Sequence, residues 1–130
     1  MNPTLTNYDG SVTATPQRVV RPETVEELQT ILKRPDQFPS PVRAMGSLHS
    51  LTPCASSAGT MVDMSGLKKI VNIDAQKLTL TAQAGLQLLE GARVLRKQQL
   101  QFMLNSLYRS SASRHSRSMS AASPSVESTQ

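Results

Sequence analysis

The most informative segment of the sequence runs from Arg43 to Ser50 and reads RAMGSLHS. An extended run that turns at Gly46 and continues through small polar side chains can expose several backbone N–H groups on one concave side, which suits a diphosphate. Gly46 lets the backbone approach such a ligand closely, and Ser47 and Ser50 add hydroxyl donors. Each hydrogen bond to a charged oxygen contributes roughly 1.5–3 kcal/mol. The spacing alone leaves open a loop that only turns the chain, because Gly-Ser turns after strands are common.

The sequence around this stretch predicts an α+β fold with a small mixed sheet and flanking helices. Thr24 and Glu27 have capping-box spacing, and they open a helix over about 25–34. Its apolar stripe follows helical spacing and consists of Val25, Leu28, Ile31 and Leu32. A second helix is expected over about 86–97. Strands are expected at 18–22, 41–45, 60–64, 69–73 and 78–82, the last two forming a hairpin.

Composition divides the chain into an N-terminal arm (1–16), a partial domain (17–105) and a tail (106–130). Ten of the 25 tail residues are serine, and a segment with so few large apolar residues is expected to be disordered. The tail holds three arginines, so an Arg/Ser segment that touches RNA is the alternative to a solvated tail. The net charge of +5 decides little, because a diphosphate is as anionic as nucleic acid. No nucleic-acid partner is expected.

Several classes of protein are disfavoured by residue counts. Cys54 is the only cysteine, which excludes an intrachain disulfide and a cysteine-rich zinc site, and no metal site is expected. The first ten residues lack the pattern of a secretory signal. No apolar run approaches the length of a membrane span. The default expectation is therefore a cytoplasmic protein.

The loop resembles the pyrophosphate loop of the vanillyl-alcohol oxidase/PCMH-type FAD-binding family. Arg43 precedes the segment Gly46–Ser50 and Thr52-Pro53 follows it, as in that family. The likeness is nearest to the sugar-lactone (gulonolactone and arabinonolactone) and alditol oxidases, in which the loop ends in His-Ser. It covers roughly residues 17–105. Further segments match the family's strands and helices in the right order, namely VVRPETVEEL (19–28), GTMVDMSGL (59–67) and TAQAG (81–85).

The resemblance implies the N-terminal part of a PCMH-type FAD-binding domain and a flavin-dependent oxidoreductase acting on CH–OH groups. The substrate would be a sugar lactone or a polyol. Gly46, Ser47, Leu48 and Ser50 would hold the diphosphate of FAD. His49 is the candidate for a covalent bond to a ring methyl of the flavin, because a neutral imidazole is nucleophilic near pH 7. No catalytic acid or base can be assigned.

Two departures from the family qualify these expectations. The commonest loop is Gly-x-Gly-His-Ser, and Leu48 stands at the second glycine, where a Cβ restricts the backbone. After Asn105 the composition changes abruptly, which predicts a truncated chain that is inactive alone, holds FAD weakly and is colourless when purified. The alternative hypothesis is a non-catalytic truncated product, or an interaction fragment with a disordered Arg/Ser tail.

Overall fold

The computed structural model describes residues 2–102 and, for the backbone only, 119–122. The chain divides into two compact units, Met1–Leu67 and Lys68–Gln130. Each unit is described by itself below.

The first unit is built on a three-stranded parallel sheet with one helix. Strands β1 (Leu5–Thr6) and β2 (Thr13–Ala14) form an antiparallel pair ahead of this sheet. The sheet has the order β3-β5-β4, with both pairings parallel. Its elements along the chain are β3 (Arg18–Val20), α1 (Val25–Lys33), β4 (Val42–Met45) and β5 (Thr60–Asp63). Short 3-10 turns lie at Pro53–Ala55 and Met64–Gly66.

The central strand β5 is buried on both faces. Thr60, Met61 and Val62 are 0%, 1% and 2% exposed, as expected of a strand with parallel neighbours on both sides. Met61 forms a core cluster with Met45 at the end of β4 and with Ala55. We call these three residues the methionine cluster. It places an apolar base directly beneath the residues that follow β4.

Helix α1 confirms the predicted capping box. The Thr24 hydroxyl accepts the backbone N–H of Glu27 at 3.1 Å, and the Glu27 carboxylate accepts the backbone N–H of Glu23 at 2.7 Å. The predicted apolar stripe is only partly buried. Ile31 is buried, whereas Val25 and Leu32 are 46% and 61% exposed. Helical spacing located the helix correctly but did not identify which apolar residues lie in the core.

The N-terminal arm forms a short hairpin that was not predicted from the sequence. Its β1–β2 hairpin pairs Leu5 with Ala14 and Thr6 with Thr13. The side chains of Leu5 and Ala14 pack against the methionine cluster. The arm is therefore part of the packed unit.

The second unit contains the predicted hairpin and the second predicted helix. The hairpin joins β6 (Ile70–Asp74) and β7 (Thr79–Ala82), and α2 runs over Leu88–Lys97. β7 begins at Thr79, one residue later than predicted, because Leu78 has a left-handed φ of 53°. The pKa of the Asp74 carboxyl is lowered in this turn, chiefly because the carboxylate accepts a hydrogen bond from the backbone N–H of Lys77. The core of the unit contains Leu80, Leu86, Leu95, Leu100 and Phe102.

The tail contributes one strand to this unit. β9 (Met119–Ala122) lies between β7 and β8 (Gln101–Phe102), antiparallel to both. The expectation of a disordered tail therefore does not describe residues 119–122. Backbone pairing along open strand edges needs no apolar periodicity, so composition gave no signal for it. The other tail residues from 106 to 130 lie outside the described residues, and their disorder stays a prediction.

No helix within residues 2–102 is long and apolar enough to cross a membrane.

Gly59 supplies a test of the packing between β4 and β5. A Cβ at Gly59 would meet the backbone of Pro39 and Ser40, at 2.6 Å from the Ser40 carbonyl oxygen. Backbone cannot move aside as a side chain can, so Gly59→Ala should lower the free energy of unfolding by about 1–3 kcal/mol. Equilibrium urea unfolding measures this difference. Ala58→Ser, at the exposed neighbouring residue, is the control and should stay within about 0.5 kcal/mol. Equal midpoints for the two variants would contradict the packing described.

Candidate functional site

The predicted diphosphate loop follows β4 at the carboxyl end of the parallel sheet. Ligands of open α/β sheets bind outside this edge, because the loops that leave the strands converge there. All five predicted residues are half-buried, in the order Gly46, Ser47, Leu48, His49 and Ser50. The loop is thus partly packed and partly accessible, as a binding loop requires.

Leu48 adopts the backbone conformation of a glycine. Its φ is 53°, in the left-handed region, where a side chain costs about 1–2 kcal/mol. Its side chain packs against the methionine cluster, which offsets part of that cost. The departure from the glycine pattern is therefore accommodated without abandoning the backbone turn, and the leucine side chain adds an apolar anchor for the loop.

The N-terminal arm binds two carbonyl groups of the loop. The backbone N–H of Tyr8 donates to the Leu48 carbonyl at 3.1 Å, and the Asn7 side-chain amide donates to the Ser50 carbonyl at 3.0 Å. In a planar trans peptide the C=O and the next N–H point in opposite directions, and Ser40-Pro41 is the only cis bond among the described residues. The N–H groups of His49 and Leu51 therefore point away from the arm. N–H groups directed away from the arm are suited to an anionic ligand, and their binding of a diphosphate stays a prediction.

The Ser50 hydroxyl is engaged within the loop itself. It lies 3.1 Å from the Thr52 hydroxyl and 3.1 Å from the Cys54 sulfur, and it accepts the backbone N–H of Thr52 at 3.4 Å. A hydroxyl has one hydrogen to donate. The observed contacts of the Ser50 hydroxyl shape the turn, and its predicted bond to a phosphate stays a prediction.

His49 packs against the arm through its ring. The ring centroids of His49 and Tyr8 are 5.0 Å apart and the planes are inclined by 35°. The Nδ1 atom of His49 is buried. The arm thus restrains the imidazole, which was the candidate for covalent attachment, and that role stays a prediction.

Sequence reasoning missed the contribution of Asn7 and Tyr8. One signal for them was present, since Asp-Gly is a favoured hairpin turn and Asp9-Gly10 occupies this turn. Gly10 has a left-handed φ of 79°. The contact of the turn with the loop had no local signal.

A comparison with known protein families identifies the family to which the chain belongs. The FAD binding domain family matches residues 16–113, which is most of the chain. The chain belongs to the FAD-binding domain family. The predicted fold and the predicted cofactor, FAD, are confirmed at the level of this family.

Curated relatives carry lactone-oxidising names. L-gulono-1,4-lactone dehydrogenase from Mycobacterium tuberculosis is 33% identical over 88 residues, which is 68% of this chain and 21% of that protein. L-gulonolactone oxidase from Scyliorhinus torazame is 29% identical over 82 residues, covering 63% of this chain and 19% of that protein. The chain spans about a fifth of the length of the curated relatives it matches.

Solved structures show the same fold at lower identity. A cholesterol oxidase from B. sterolicum superposes with a TM-score of 0.68 at 16% identity, covering 86% of this chain and 22% of that one. An alkyldihydroxyacetonephosphate synthase gives a TM-score of 0.66 at 19% identity, covering 79% and 20%.

Because Leu48 has a left-handed backbone, we expect replacement by glycine to destabilise the protein less than replacement by valine. Leu48→Gly removes the left-handed cost of about 1–2 kcal/mol and loses a half-buried side chain of similar worth, so stability should change by no more than about 1 kcal/mol. Leu48→Val keeps a side chain in the left-handed region and adds β-branching there, so it should cost about 1–3 kcal/mol. Urea unfolding of both variants measures the order.

Leu5 is the matched control for this experiment, because it packs against the same cluster from a strand. There Leu5→Gly should cost more than Leu5→Val. The same order at both positions would show that the turn at Leu48 is not as described.

Proposed function

We propose that this protein is the FAD-binding part of a flavin-dependent oxidoreductase that acts on a CH–OH group of a sugar lactone or polyol. The observation that carries the proposal is the loop at the carboxyl end of the sheet, whose Leu48 and Ser50 carbonyls are bonded to the N-terminal arm. Family membership supports FAD as the ligand. The names of the two curated relatives support the lactone as substrate.

In this proposal the loop binds the diphosphate of FAD through its backbone and hydroxyl groups. Gly46 allows close approach, the N–H groups of His49 and Leu51 donate, and Ser47 adds a hydroxyl. The flavin would supply the hydride acceptor, whereas the protein supplies binding and orientation. No acid or base for the substrate is assigned among the described residues.

Binding of ligands with and without a diphosphate tests this assignment. FAD and ADP carry the diphosphate and should bind the chain, whereas riboflavin lacks it and should bind far more weakly. Ser47→Ala removes one hydrogen bond to a charged oxygen and should weaken FAD and ADP by about 10- to 100-fold. Calorimetry measures ADP, and flavin fluorescence measures FAD and riboflavin.

Ser40→Ala is the matched control, since Ser40 is exposed and precedes the opposite end of β4. It should leave the affinity for FAD unchanged. If riboflavin binds as well as FAD, or if ADP does not bind, the loop is not a diphosphate site. An interaction fragment would then be the better hypothesis.

Covalent attachment through His49 is the finer part of the proposal. Attachment would replace one methyl C–H bond of the flavin and one imidazole N–H bond of His49 by a C–N bond, and dioxygen would take up the two hydrogens with their electrons as hydrogen peroxide. The bond requires an unprotonated imidazole nitrogen next to a flavin already held by the loop.

Acid precipitation of a flavin-loaded full-length parent tests the covalent bond, because this chain by itself is expected to hold FAD weakly. Attached flavin should stay in the pellet of the unmodified protein. His49→Ala should move the flavin to the supernatant, whereas Ser47→Ala, loaded at saturating FAD, should leave it in the pellet. Release of flavin from the unmodified protein would show that His49 binds or packs without a covalent bond. That result would leave the diphosphate assignment intact.

A further inference from the structure

Asn7 is a buried amide in the N-terminal arm, 8% exposed. A buried amide is costly unless its polar atoms are bonded. Its Oδ1 accepts the backbone N–H of Val12 at 2.9 Å. Its Nδ2 donates to the Ser11 hydroxyl at 3.1 Å and to the Ser50 carbonyl at 3.0 Å. Both hydrogens of the Asn7 amide group are therefore used, one in the turn and one on the loop.

The surrounding bonds fix which way the Asn7 amide points. The Ser11 hydroxyl lies 2.7 Å from a carboxylate oxygen of Asp9, to which it donates its hydrogen. This bond is the largest cause of the lowered pKa of Asp9. Because its hydrogen is committed, the Ser11 hydroxyl can only accept from Asn7. The NH₂ group of Asn7 must therefore face Ser11 and Ser50.

The bond from Asn7 to Ser50 joins residues that are 43 positions apart. Together with the bond from the Tyr8 N–H to the Leu48 carbonyl at 3.1 Å, it holds two loop carbonyls on the arm side. If either peptide rotated, a carbonyl oxygen would replace an N–H on the opposite side. A carbonyl oxygen there would repel an anion where the N–H attracts one. Preorganised donors bind more tightly because no rotation has to precede binding.

We propose that Asn7 is a positioning residue for the diphosphate loop, acting through the Ser50 carbonyl to keep the backbone N–H donors on the ligand side. This inference rests on the proposed function of the loop. The family match begins at residue 16, so Asn7 lies before the matched residues. Asn7 does not touch the ligand in this proposal.

Asn7→Asp separates the two tasks of the side chain. The carboxylate still accepts the Val12 N–H, but both amide hydrogens are lost, the one bonded to Ser11 within the hairpin and the one bonded to the Ser50 carbonyl. The residue 7 amide reports on the first loss and the Tyr8 amide on the second. Hydrogen exchange of single amides, followed by NMR on the 130-residue chain without ligand, supplies two reporters. The Tyr8 amide bonds the loop, and the residue 7 amide bonds the Val12 carbonyl within the hairpin at 2.9 Å. We expect Tyr8 to exchange about 10-fold faster or more, with residue 7 unchanged.

Titration with ADP provides the second measurement. Asn7→Asp should weaken ADP by about 10-fold or more. Thr6→Asp is the charge-matched control, because Thr6 is exposed and its hydroxyl lies 3.3 Å from that of Thr13 in the same hairpin. It should leave both the ADP affinity and the Tyr8 exchange rate close to those of the unmodified chain.

The possible results distinguish the inference from the function on which it rests. Unchanged exchange at Tyr8 overturns the positioning role, whatever binds. Equal acceleration at Tyr8 and residue 7 also overturns it, because Asn7 would then only stabilise the hairpin. If only the Tyr8 amide exchanges faster and the affinity for ADP is unaltered, the contact between Asn7 and Ser50 does not contribute to ligand binding. If the unmodified chain does not bind ADP, the diphosphate function fails, and with it the role of Asn7 toward that ligand.

Discussion

The register between β4 and β5 is the constraint on which the rest of the first unit depends. The backbone N–H of Thr60 donates to the Pro41 carbonyl at 3.1 Å and its hydroxyl donates to the Pro39 carbonyl at 2.9 Å. The Ser57 hydroxyl also donates to the Pro41 carbonyl. Gly59 allows this approach because it has no side chain. These bonds align Met45 with Asp63 and so determine where β4 ends and the loop begins.

This register determines the position of the loop, and contacts with the methionine cluster and the arm determine its shape. Met61 of β5 and Met45 of β4 form the apolar base on which the Leu48 side chain packs. The arm packs on the same base and bonds the carbonyls of Leu48 and Ser50. Core packing and the direction of the loop N–H groups are therefore two consequences of one arrangement. A substitution in the methionine cluster should therefore alter the proposed ligand side of the loop, because Leu48 belongs to the loop and packs on this cluster.

Local sequence patterns predicted the elements that have local causes. The capping box at Thr24 and the hairpin through Asp74 depend on contacts a few residues apart, and both are present. The arm hairpin was missed because each of its strands has only two residues, too few to show a period. The strand predicted to begin at Leu78 begins at Thr79, because the left-handed φ of Leu78 is a property of the turn and not of apolar alternation. For the site, resemblance supplied the five loop residues, but the bond from Asn7 to the Ser50 carbonyl crosses too much sequence for any local pattern to reveal.

The chemistry of the loop explains why these distant contacts matter. Residues 46–50 include no lysine or arginine, so in the proposed site the attraction for a diphosphate would come from peptide and hydroxyl dipoles. A dipole attracts an anion only when it is correctly directed, whereas a charged side chain attracts from many orientations. A site built from dipoles therefore depends on whatever fixes the peptide planes. In this chain the groups that fix the peptide planes lie outside the loop, in the methionine cluster on which Leu48 packs and in the arm at Asn7 and Tyr8. The residues that determine affinity thus extend beyond those that would touch the ligand.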